Sequence, residues 1–600
     1  MAPLIVNNIE VIQTPTIPPA WPTPKEPSRV ELSSGSQKTP EHRPLPCDII
    51  LERDQPLTLR DGTRIRVDIF RPKTDEKVPA ILMWSPYGKT DTGTLNLHAV
   101  PLRCGVPLSK LSGYESFEGW DLPNMRPYYQ TWKTDLPPRL DPAEWVPKGY
   151  AIINADARGC GDSEGDMRSW GTPEGQDGHD AIEDIAKLPW CTGKVAMAGN
   201  SWLALCQWYI AAERPPHLAC IAPLEGASDH MRESLCRGGI PSIGFGSMIN
   251  NVVRGRGQQE NSVEMLLKHG QGLRAYWDDK RARMDRIEVP AYILGSYSTM
   301  LHTIGSFRGF EEIPHQNKWM VTHATQEWFD LYSQERTDDL QKFFDRYMKG
   351  IDNGWEKTSP VRLAVLGYNK PPVIDLPFDS LPWLLPSATN TELQRLYLGA
   401  DKTLQHSKNT DTATLGYEGT ETMVFTHTFP KSTQLLGPTK LVVHVSCPSA
   451  TDFDVYAQIR KRDASGKDLE HINIPLEALP VSDPKEIPSI NPLKYLGPNG
   501  KLRASKRKVA PELSPNYWQT LAHDEDIEVK AGEIVKMEVW IWPTAIQFDA
   551  GEQLALKITG SDSLVLPEFE FLAEKPKNAA GQVVHFGGEY ENYLEGHWHD

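Results

Sequence analysis

Short apolar segments alternate with helical patterns through the first 350 residues of the chain. Eight of these segments have the length and the β-branched and aromatic content of buried strands. They are DIILER, TRIRVDIF, VPAILMW, YAIINAD, KVAMAG, LACIAPLEG, VPAYILGS and KWMVTH. The stretches between several of them are helical in pattern, as in GQDGHDAIEDIAKLPW. Strands that alternate with helices predict a mostly parallel sheet of the α/β class.

The chain has 600 residues, which is too many for a single hydrophobic core and predicts several domains. Residues 1–45 are rich in Pro, Ser and Thr and predict an irregular N-terminal arm. Residues 46–350 predict the α/β domain, with an insertion at about 227–286 that mixes helical patterns with Gly-rich turns. Residues 355–600 predict an all-β sandwich or jelly-roll domain, because no long helical pattern interrupts their strands. The clearest of those strands are LYLGA, TMVFTHTF, KLVVHVSC, FDVYAQIR, IVKMEVWIW and LALKITG.

Ser201 lies where the apolar run KVAMAGN meets the amphipathic run WLALCQWYIAAE. A serine at a sharp strand-to-helix turn has an exposed hydroxyl and backbone N–H groups close by, which suits a nucleophile. The surrounding sequence, GNSWLA, departs from G-x-S-x-G because Leu203 occupies the position of the second glycine. Ala204, one residue later, is then the small residue that lets the helix approach the strand. Ser201 is the candidate nucleophile.

His323 directly follows the last predicted strand, KWMVT, where the general base of an α/β hydrolase is expected. Among 17 histidines a lone histidine is usually a solvated or core residue, so its place at a strand end is the observation that favours it. His302, in STMLHT, is the nearest competitor.

The acid that would orient this histidine is missing from its usual place. The strand VPAYILGS ends in Ser296, Tyr297, Ser298 and Thr299, with no carboxylate. Glu225 follows the preceding strand, in APLEGASD, and neighbouring strands lie only about 5 Å apart, so it can reach the imidazole. We therefore expect Glu225 to be the acid.

Other assignments of the acid remain open. Glu327 or Asp330, in HATQEWFD, could take its place. Glu225 could instead cap the following helix or pair with Arg232. A hydroxyl of Ser298 or Thr299, or a water, could also orient the histidine without an acid.

The oxyanion hole needs donors aimed at the developing negative charge, and the backbone N–H after the nucleophile, that of Trp202, is one. Tyr87, in SPYGK after the strand VPAILMW, lies on the same edge of the sheet. Its phenol is the candidate second donor, although Tyr87 could also only pack beneath the insertion that follows.

Composition excludes several classes of protein. The net charge of −16 argues against nucleic acid or an anionic membrane surface as a partner. The first residues lack the pattern of a secretory signal, and no run is long and apolar enough to span a membrane, so we expect a cytoplasmic protein. The eight cysteines form no C-x-x-C pair, which predicts neither disulfides nor a zinc site. We expect no metal and no cofactor.

Six motifs together resemble the CocE/NonD hydrolases, which include the X-Pro dipeptidyl-peptidase group. They are SPYGK at 85–89, NADARGCGDSEG at 154–165, GNSWLA at 199–204, APLEGASD at 222–229, and LHTIGSF followed by KWMVTHATQEW. The resemblance runs from about residue 50 to the end of the chain. It implies an α/β-hydrolase domain, a helical cap after the sixth strand and a C-terminal jelly roll.

The resemblance also implies roles for particular residues. Ser201 is then the nucleophile, His323 the base, and Tyr87 with the Trp202 amide the oxyanion hole. Members of the family are expected to have Asp at the position of Thr299, so the acid does not carry over.

These features predict a serine hydrolase that cleaves an ester or amide of a small hydrophobic substrate through an acyl-enzyme. A second insertion, LSGYESFEGWDLPNMRPYYQTWKTDLPP at 111–138, precedes the strand YAIINAD. Aromatic residues of the two insertions, among them Trp120, Tyr128 and Trp277, favour a bulky apolar group. Two alternatives remain: an acyltransferase of a biosynthetic pathway, and a non-hydrolytic protein that binds or rearranges a small molecule. The choice between ester and amide, and whether the chain forms a homo-oligomer, are left open.

Overall fold

A computed structural model describes most of the chain. The described residues are 3–19, 21–36, 45–89, 142–298, 301–331, 333–384, 391–476, 482–487, 489, 493–515, 517–561 and 581–599. Thr299, Trp120 and Tyr128, which the sequence analysis singles out, lie outside these ranges. None of the described helices is both long and apolar enough to cross a membrane.

Fifteen described strands precede residue 380. They are β1 (Ile5–Val6), β2 (Ile9–Glu10), β3 (Gln13–Pro15), β4 (Ser28–Leu32), β5 (Ile49–Thr58), β6 (Arg64–Pro72), β7 (Val78–Ser85), β8 (Ala151–Asp156), β9 (Cys191–Asn200), β10 (Leu218–Leu224), β11 (Gln258–Glu260), β12 (Ala291–Ser296), β13 (Lys318–His323), β14 (Val361–Val365) and β15 (Val373–Phe378).

Nine α-helices occur in the described part of the chain, all before residue 350. They are α1 (Pro142–Trp145), α2 (Gly171–Ile185), α3 (Trp202–Ala212), α4 (Ile243–Val252), α5 (Ser262–His269), α6 (Arg274–Trp277), α7 (Thr303–Glu312), α8 (Glu327–Leu331) and α9 (Gln334–Lys349).

One sheet of eleven described strands organises the N-terminal domain, in the order β15-β14-β13-β12-β10-β9-β7-β8-β6-β5-β4. The strands from β8 to β14 along this order are parallel, and antiparallel strands extend both edges. All eight segments predicted as strands belong to this sheet, so the α/β prediction is confirmed. Because β7, β9, β10, β12 and β13 are parallel, their carboxyl ends lie along one edge of the sheet.

The N-terminal arm is more regular than its composition predicts. It contains four short strands, of which β4 pairs with β5 at the edge of the main sheet and β3 pairs with β11. Leu4, Val6 and Val11 pack in a small core with residues of the insertion between β10 and β12. Pro and Ser content does not reveal strands such as β3 and β4, which form against partners elsewhere in the chain.

The segment between β10 and β12 forms a cap built mainly of short helices. It contains α4, α5, α6 and one π-helix, His230–Leu235. Its residues Met231, Leu235, Met265 and Trp277 bury their side chains with those of the arm. The cap and the arm thus share a core of their own, distinct from the core of the main sheet.

Two strands beyond residue 355, the predicted start of the all-β domain, join the hydrolase sheet. β14 and β15 lie beyond that residue, yet β14 pairs in parallel with β13 and extends the hydrolase sheet. α9 forms the crossover between β13 and β14, and sequence patterns do not tell which sheet a short strand joins.

The remaining strands form the C-terminal all-β domain. They are β16 (Thr391–Leu398), β17 (Leu404–Gln405), β18 (Ala413–Tyr417), β19 (Thr422–Thr428), β20 (Thr433–Ser446), β21 (Asp454–Arg462), β22 (His471–Ile472), β23 (Lys494–Tyr495), β24 (Asn499–Arg503), β25 (Val535–Phe548), β26 (Gln553–Thr559), β27 (Gln582–Phe586) and β28 (Tyr593–His599). A seven-stranded and a four-stranded sheet contain most of them, which confirms an all-β domain.

The all-β domain contacts the loop that follows β13. The His471 imidazole Nε2 lies 2.6 Å from the Ala324 carbonyl oxygen, and the Gln326 N–H donates to the Asn473 carbonyl at 2.7 Å. Trp383 Nε1 donates to Glu311 on α7 at 3.0 Å. The second domain therefore holds a loop and a helix at the carboxyl edge of the hydrolase sheet.

Asp162 anchors the N-terminal arm, which gives a test of its structural role. Its buried carboxylate accepts hydrogen bonds from Trp21 Nε1 (2.8 Å), the Lys25 N–H (3.0 Å) and Arg256 on the cap (2.8 Å). We expect Asp162→Asn to lower the free energy of unfolding by about 2–4 kcal/mol, because a buried charge network is broken. Thermal unfolding and limited proteolysis of residues 1–25 measure the effect. Glu26→Gln, at an exposed position of the same arm, is the control, and equal stability of both variants would contradict the anchoring role.

Candidate active site

Four polar residues lie side by side at the carboxyl edge of the sheet. Asn200 pairs with Leu224, Leu224 with Leu294, and Ser296 with His323 in the strand registers. Ser201 and Glu225, the residues after β9 and β10, therefore stand in one row with Ser296 and His323. The register brings together residues that are up to 122 positions apart in the sequence.

Ser201 occupies a strained turn between β9 and α3. Its backbone has φ 58° and ψ −122°, in the left-handed region that non-glycine residues rarely adopt. The Ser201 N–H donates to the Glu225 carbonyl at 2.9 Å, and its own carbonyl accepts from Ala204 and Leu205 at the start of α3. The turn leaves the side chain half-buried, and its hydroxyl forms no hydrogen bond to the described residues.

Two glycines allow this turn to be tight. Gly199 has φ +142°, and a Cβ there would lie 2.4 Å from the Leu203 Cβ. A Cβ on Gly226 would lie 2.8 Å from the Ala204 Cβ, so the small residue three positions after the serine packs against a glycine of the next strand end. The departure from G-x-S-x-G is thus accommodated by the pair Ala204 and Gly226.

Glu225 also has a left-handed backbone, with φ 67°. Its side chain is fully buried and accepts a hydrogen bond from Ser296 Oγ at 2.8 Å. The second carboxylate oxygen is hydrogen-bonded to His323 Nε2. Glu225 is therefore in direct contact with His323, the histidine that the sequence analysis expects it to orient. The hydroxyl of Ser296 holds the carboxylate from the other side.

His323 is a buried imidazole surrounded by charge. Burial opposes its protonation, but the carboxylates of Asp330 and Glu225 outweigh burial and Arg336, so the pKa of His323 is raised above its usual value. Its Nδ1 atom faces Thr325 Oγ1 at 3.4 Å. No hydrogen bond joins His323 to the Ser201 hydroxyl among the described residues.

The alternative acids have other partners. Asp330 forms an ion pair with Arg336 at 2.7 Å and acts on His323 only through its charge. Glu327 accepts a hydrogen bond from Asn200 Nδ2 at 3.0 Å and lies 3.3 Å from His302 Nδ1. Ser298 Oγ donates to the Thr325 carbonyl at 3.4 Å.

The two candidate oxyanion donors lie beside the turn that bears Ser201, the candidate nucleophile. Trp202 is the first residue of α3, and the first N–H groups of an α-helix have no partner within the helix. Tyr87 follows β7, which pairs with β9, and its ring packs edge-on against that of Trp202 at 6.0 Å between centroids. Burial, with smaller effects of Glu174 and Cys160, raises the pKa of Tyr87, so its phenol keeps the proton that a donor needs.

Glu174 is a buried acid beneath this region that the sequence analysis missed. It accepts hydrogen bonds from Trp84 Nε1 (2.8 Å), Trp202 Nε1 (3.0 Å) and the Trp170 N–H (2.6 Å). Burial raises its pKa to about 7, against the effect of these donors. The one available signal was an acid in the first turn of a helix whose other buried positions, apart from Asp177, are glycine or apolar. Glu174 fixes the ring of Trp202 and so the start of α3.

Among the described residues, one group of three side chains is arranged so that it could hold a metal ion. One ring nitrogen of His302 and one oxygen each of Glu225 and Glu327 all lie within 4.8 Å of one another. Glu225 is already bonded to Ser296 and His323, so these residues form a polar network of the serine site.

The sheet topology, the strained serine and the second domain together define an α/β hydrolase with a C-terminal all-β domain. The family model of the X-Pro dipeptidyl-peptidase (S15 family) matches residues 61–262. That of the X-Pro dipeptidyl-peptidase C-terminal non-catalytic domain matches residues 353–595. The chain belongs to the CocE/NonD family of X-Pro dipeptidyl-peptidase-like α/β hydrolases.

Individual relatives agree with this assignment. A CocE/NonD family hydrolase from Staphylococcus aureus is 25% identical, with a TM-score of 0.79 over 100% of this chain and 99% of that one. An α-amino acid ester hydrolase shares the fold, with a TM-score of 0.61, 15% identity and coverage of 91% and 96%. Cocaine esterase of Rhodococcus sp. (strain MB1 Bresler) is 29% identical over 174 residues, which are 29% of this chain and 23% of that protein. The chain thus matches about a quarter of the length of this curated relative.

The environment of His323 predicts how the reactivity of Ser201 depends on pH. Because the pKa of His323 is raised, its neutral form appears only above the pH expected for a free histidine. We expect the rate of Ser201 labelling by a fluorophosphonate to rise with pH along a limb centred above pH 6.5. Removing the Glu225 charge destabilises the imidazolium, so Glu225→Gln should move this limb to lower pH. Labelling followed by mass spectrometry measures both profiles.

Glu183→Gln is the matched control for that measurement. Glu183 accepts from the exposed His217 at 2.7 Å, which makes it a carboxylate–imidazole pair near the opposite end of β10. An unchanged profile in Glu225→Gln, or the same shift in Glu183→Gln, would contradict the coupling.

Proposed function

We propose that the protein is a serine hydrolase that cleaves an ester or peptide-like bond of a small hydrophobic substrate through an acyl-enzyme. The observation that carries this proposal is the left-handed backbone of Ser201, with φ 58°, at the turn between β9 and α3. Strain of this kind costs on the order of 1–3 kcal/mol and persists where function requires it. The buried Glu225–His323 pair lies on the same edge of the sheet, one and three strands away from β9. It adds the acid–base chemistry that a serine nucleophile needs.

In the proposed reaction, the Ser201 oxygen attacks the carbonyl carbon as its proton passes to the Glu225–His323 pair. The carbonyl oxygen takes the negative charge and is held by the Trp202 N–H and the Tyr87 phenol. The intermediate then collapses, the Glu225–His323 pair gives that proton to the departing alcohol or amine, and an acyl group remains on Ser201. Water attacks the acyl carbon as the pair takes one of its protons, and the pair passes this proton to the Ser201 oxygen when the acid leaves.

Aromatic rings beside the nucleophile support the hydrophobic part of the proposal. The ring of Trp170 lies 4.1 Å from that of Trp202 and 4.3 Å from the His230 imidazole. Burial, together with Lys280, lowers the pKa of His230 to about 3, so this imidazole is neutral at physiological pH. An uncharged aromatic wall favours an apolar acyl or alcohol group.

Relatives support the class of bond. The family takes its description from X-Pro dipeptidyl-peptidases, and cocaine esterase is among the similar proteins. On that basis we propose that this chain also acts on ester or peptide-like bonds.

Hydrolysis and acyl transfer could proceed through the same acyl-enzyme. The partition of product between water and an added alcohol distinguishes them.

Replacing Ser201 tests the proposal directly. We expect Ser201→Ala to lower kcat for a p-nitrophenyl ester by on the order of 10⁶, which is the loss that follows removal of the serine from a catalytic triad. The same substitution should abolish fluorophosphonate labelling. Ser465→Ala, an exposed serine in a loop of the all-β domain, is the control and should leave both unchanged. Full turnover by folded Ser201→Ala protein would exclude Ser201 as the nucleophile.

A further inference from the structure

Lys89 is a buried lysine two residues after Tyr87, the candidate oxyanion donor. Its ammonium nitrogen lies 2.5 Å from Asp54 Oδ1 and 3.1 Å from Asp68 Oδ1. Asp54 belongs to β5 and Asp68 to β6, and none of the three side chains is more than 6% exposed. The segment that follows β7 is thus tied by its lysine to two strands on the far side of β8.

Asp156 adds a third buried carboxylate to this cluster. It is the last residue of β8, and it pairs in the strand register with Ser85, the last residue of β7. Burial raises the pKa of Asp156 to about 7, although the charge of Lys89 opposes this rise. Burial also disfavours the charge of Lys89, but Asp68, Asp156 and Asp54 outweigh it and raise the pKa of Lys89. Lys89 is therefore a cation that three buried acids share.

The cluster contains features that lower stability. Asp68 Oδ2 and Asp156 Oδ1 are buried and have no hydrogen-bond partner among the described residues. Asp54 has a left-handed backbone, with φ 55°, where the register of β5 with β6 shifts. Buried ion pairs are often no more stable than apolar residues of the same volume, and backbone strain concentrates at functional sites. These features favour a functional role for the cluster.

A short turn links the cluster to Tyr87. The Tyr87 N–H donates to Ser85 Oγ at 3.0 Å, and the Ser85 carbonyl accepts from the Ala157 N–H at 2.8 Å. The pairing of β7 with β8 therefore fixes the start of the turn. Lys89 fixes its end, and only Gly88 separates Lys89 from Tyr87. A displacement of Lys89 would thus move the Tyr87 backbone and its phenol.

We infer that Lys89, held by Asp54 and Asp68, is a positioning residue that sets Tyr87 for binding of the oxyanion. This inference rests on the proposed function and adds a residue that does not touch the substrate. An oxyanion donor must lie about 2.7–3.1 Å from the place where the charged oxygen forms, so a small displacement weakens it. Because this contact acts in the transition state, its loss should lower kcat and leave KM nearly unchanged.

A double-mutant cycle tests whether Lys89 acts through Tyr87. We expect Lys89→Met to lower kcat for p-nitrophenyl butyrate by about 10- to 100-fold, with KM changed by less than about 3-fold. Tyr87→Phe alone should lower kcat by about 10²-fold or more. In the Tyr87→Phe background, Lys89→Met should lower kcat by less than about 2-fold, because the donor that it positions is gone.

Lys461→Met is the matched control. It removes a buried lysine of the all-β domain that lies 2.8 Å from Glu552, so it also breaks a buried lysine–carboxylate pair. We expect this variant to retain the kcat of the unmodified protein. Thermal unfolding of each variant separates loss of activity from loss of fold.

Asp54→Asn is a milder change that keeps the test decisive if Lys89→Met does not fold. It removes one charge beside Lys89 but keeps an oxygen that can accept a hydrogen bond. We expect it to lower kcat by about 3- to 10-fold, since a hydrogen bond to a neutral acceptor is about half as strong. This loss should also disappear in the Tyr87→Phe background.

The outcomes separate the inference from the function on which it rests. Equal losses from Lys89→Met with and without the Tyr87 phenol would show that Lys89 acts independently of Tyr87, and would overturn the inference alone. An unchanged kcat in Lys89→Met, or the same loss in Lys461→Met, would also overturn it. Full activity of Tyr87→Phe would remove the oxyanion donor and the inference together. Turnover that survives in Ser201→Ala would overturn the proposed function as well.

Discussion

The hydrogen bond from the Ser201 N–H to the Glu225 carbonyl joins two residues that both have left-handed backbones, φ 58° and φ 67°. Neither is glycine, so each conformation is strained, and the surrounding packing must maintain it. Gly199 and Gly226 have no side chain, which leaves room for Leu203 and Ala204 at the start of α3 to pack against the two strand ends. The Ser201 hydroxyl and the Glu225 carboxylate owe their positions to this one junction between neighbouring strand ends.

The rest of the structure holds other groups against that junction. The register of β12 and β13 places Ser296 and His323 beside Glu225. α7 rests on Gly226 and Ala227, and the all-β domain holds the loop after β13 through Ala324 and Gln326. Preorganisation of this kind is what acyl-transfer chemistry requires, because the groups must be in place before charge develops. The second domain therefore contributes to the site although none of its residues belongs to the Glu225–His323 pair.

Local sequence predicted the features that depend on local chemistry. Eight apolar segments became strands of one sheet, and a serine between a strand and a helix became a strained turn. The contact between Glu225 and His323 could be anticipated because carboxyl ends of parallel strands share an edge. The pairing of β3 and β4 of the N-terminal arm, the joining of β14 to β13 and the setting of Glu174 could not be anticipated, because each depends on a partner elsewhere in the sequence. Which ring nitrogen His323 offers to Glu225 depends on side-chain packing, and no spacing encodes it.

The proposed acyl-enzyme on Ser201 can be trapped during turnover. The experiment is rapid mixing of the protein with excess p-nitrophenyl butyrate, acid quenching within milliseconds and mass spectrometry of the digested chain. We expect a butyryl group on the peptide that contains Ser201, formed in step with a burst of p-nitrophenol and absent from Ser201→Ala. Turnover of the ester with no acyl group on that peptide, under conditions in which acylation outpaces deacylation, would contradict it.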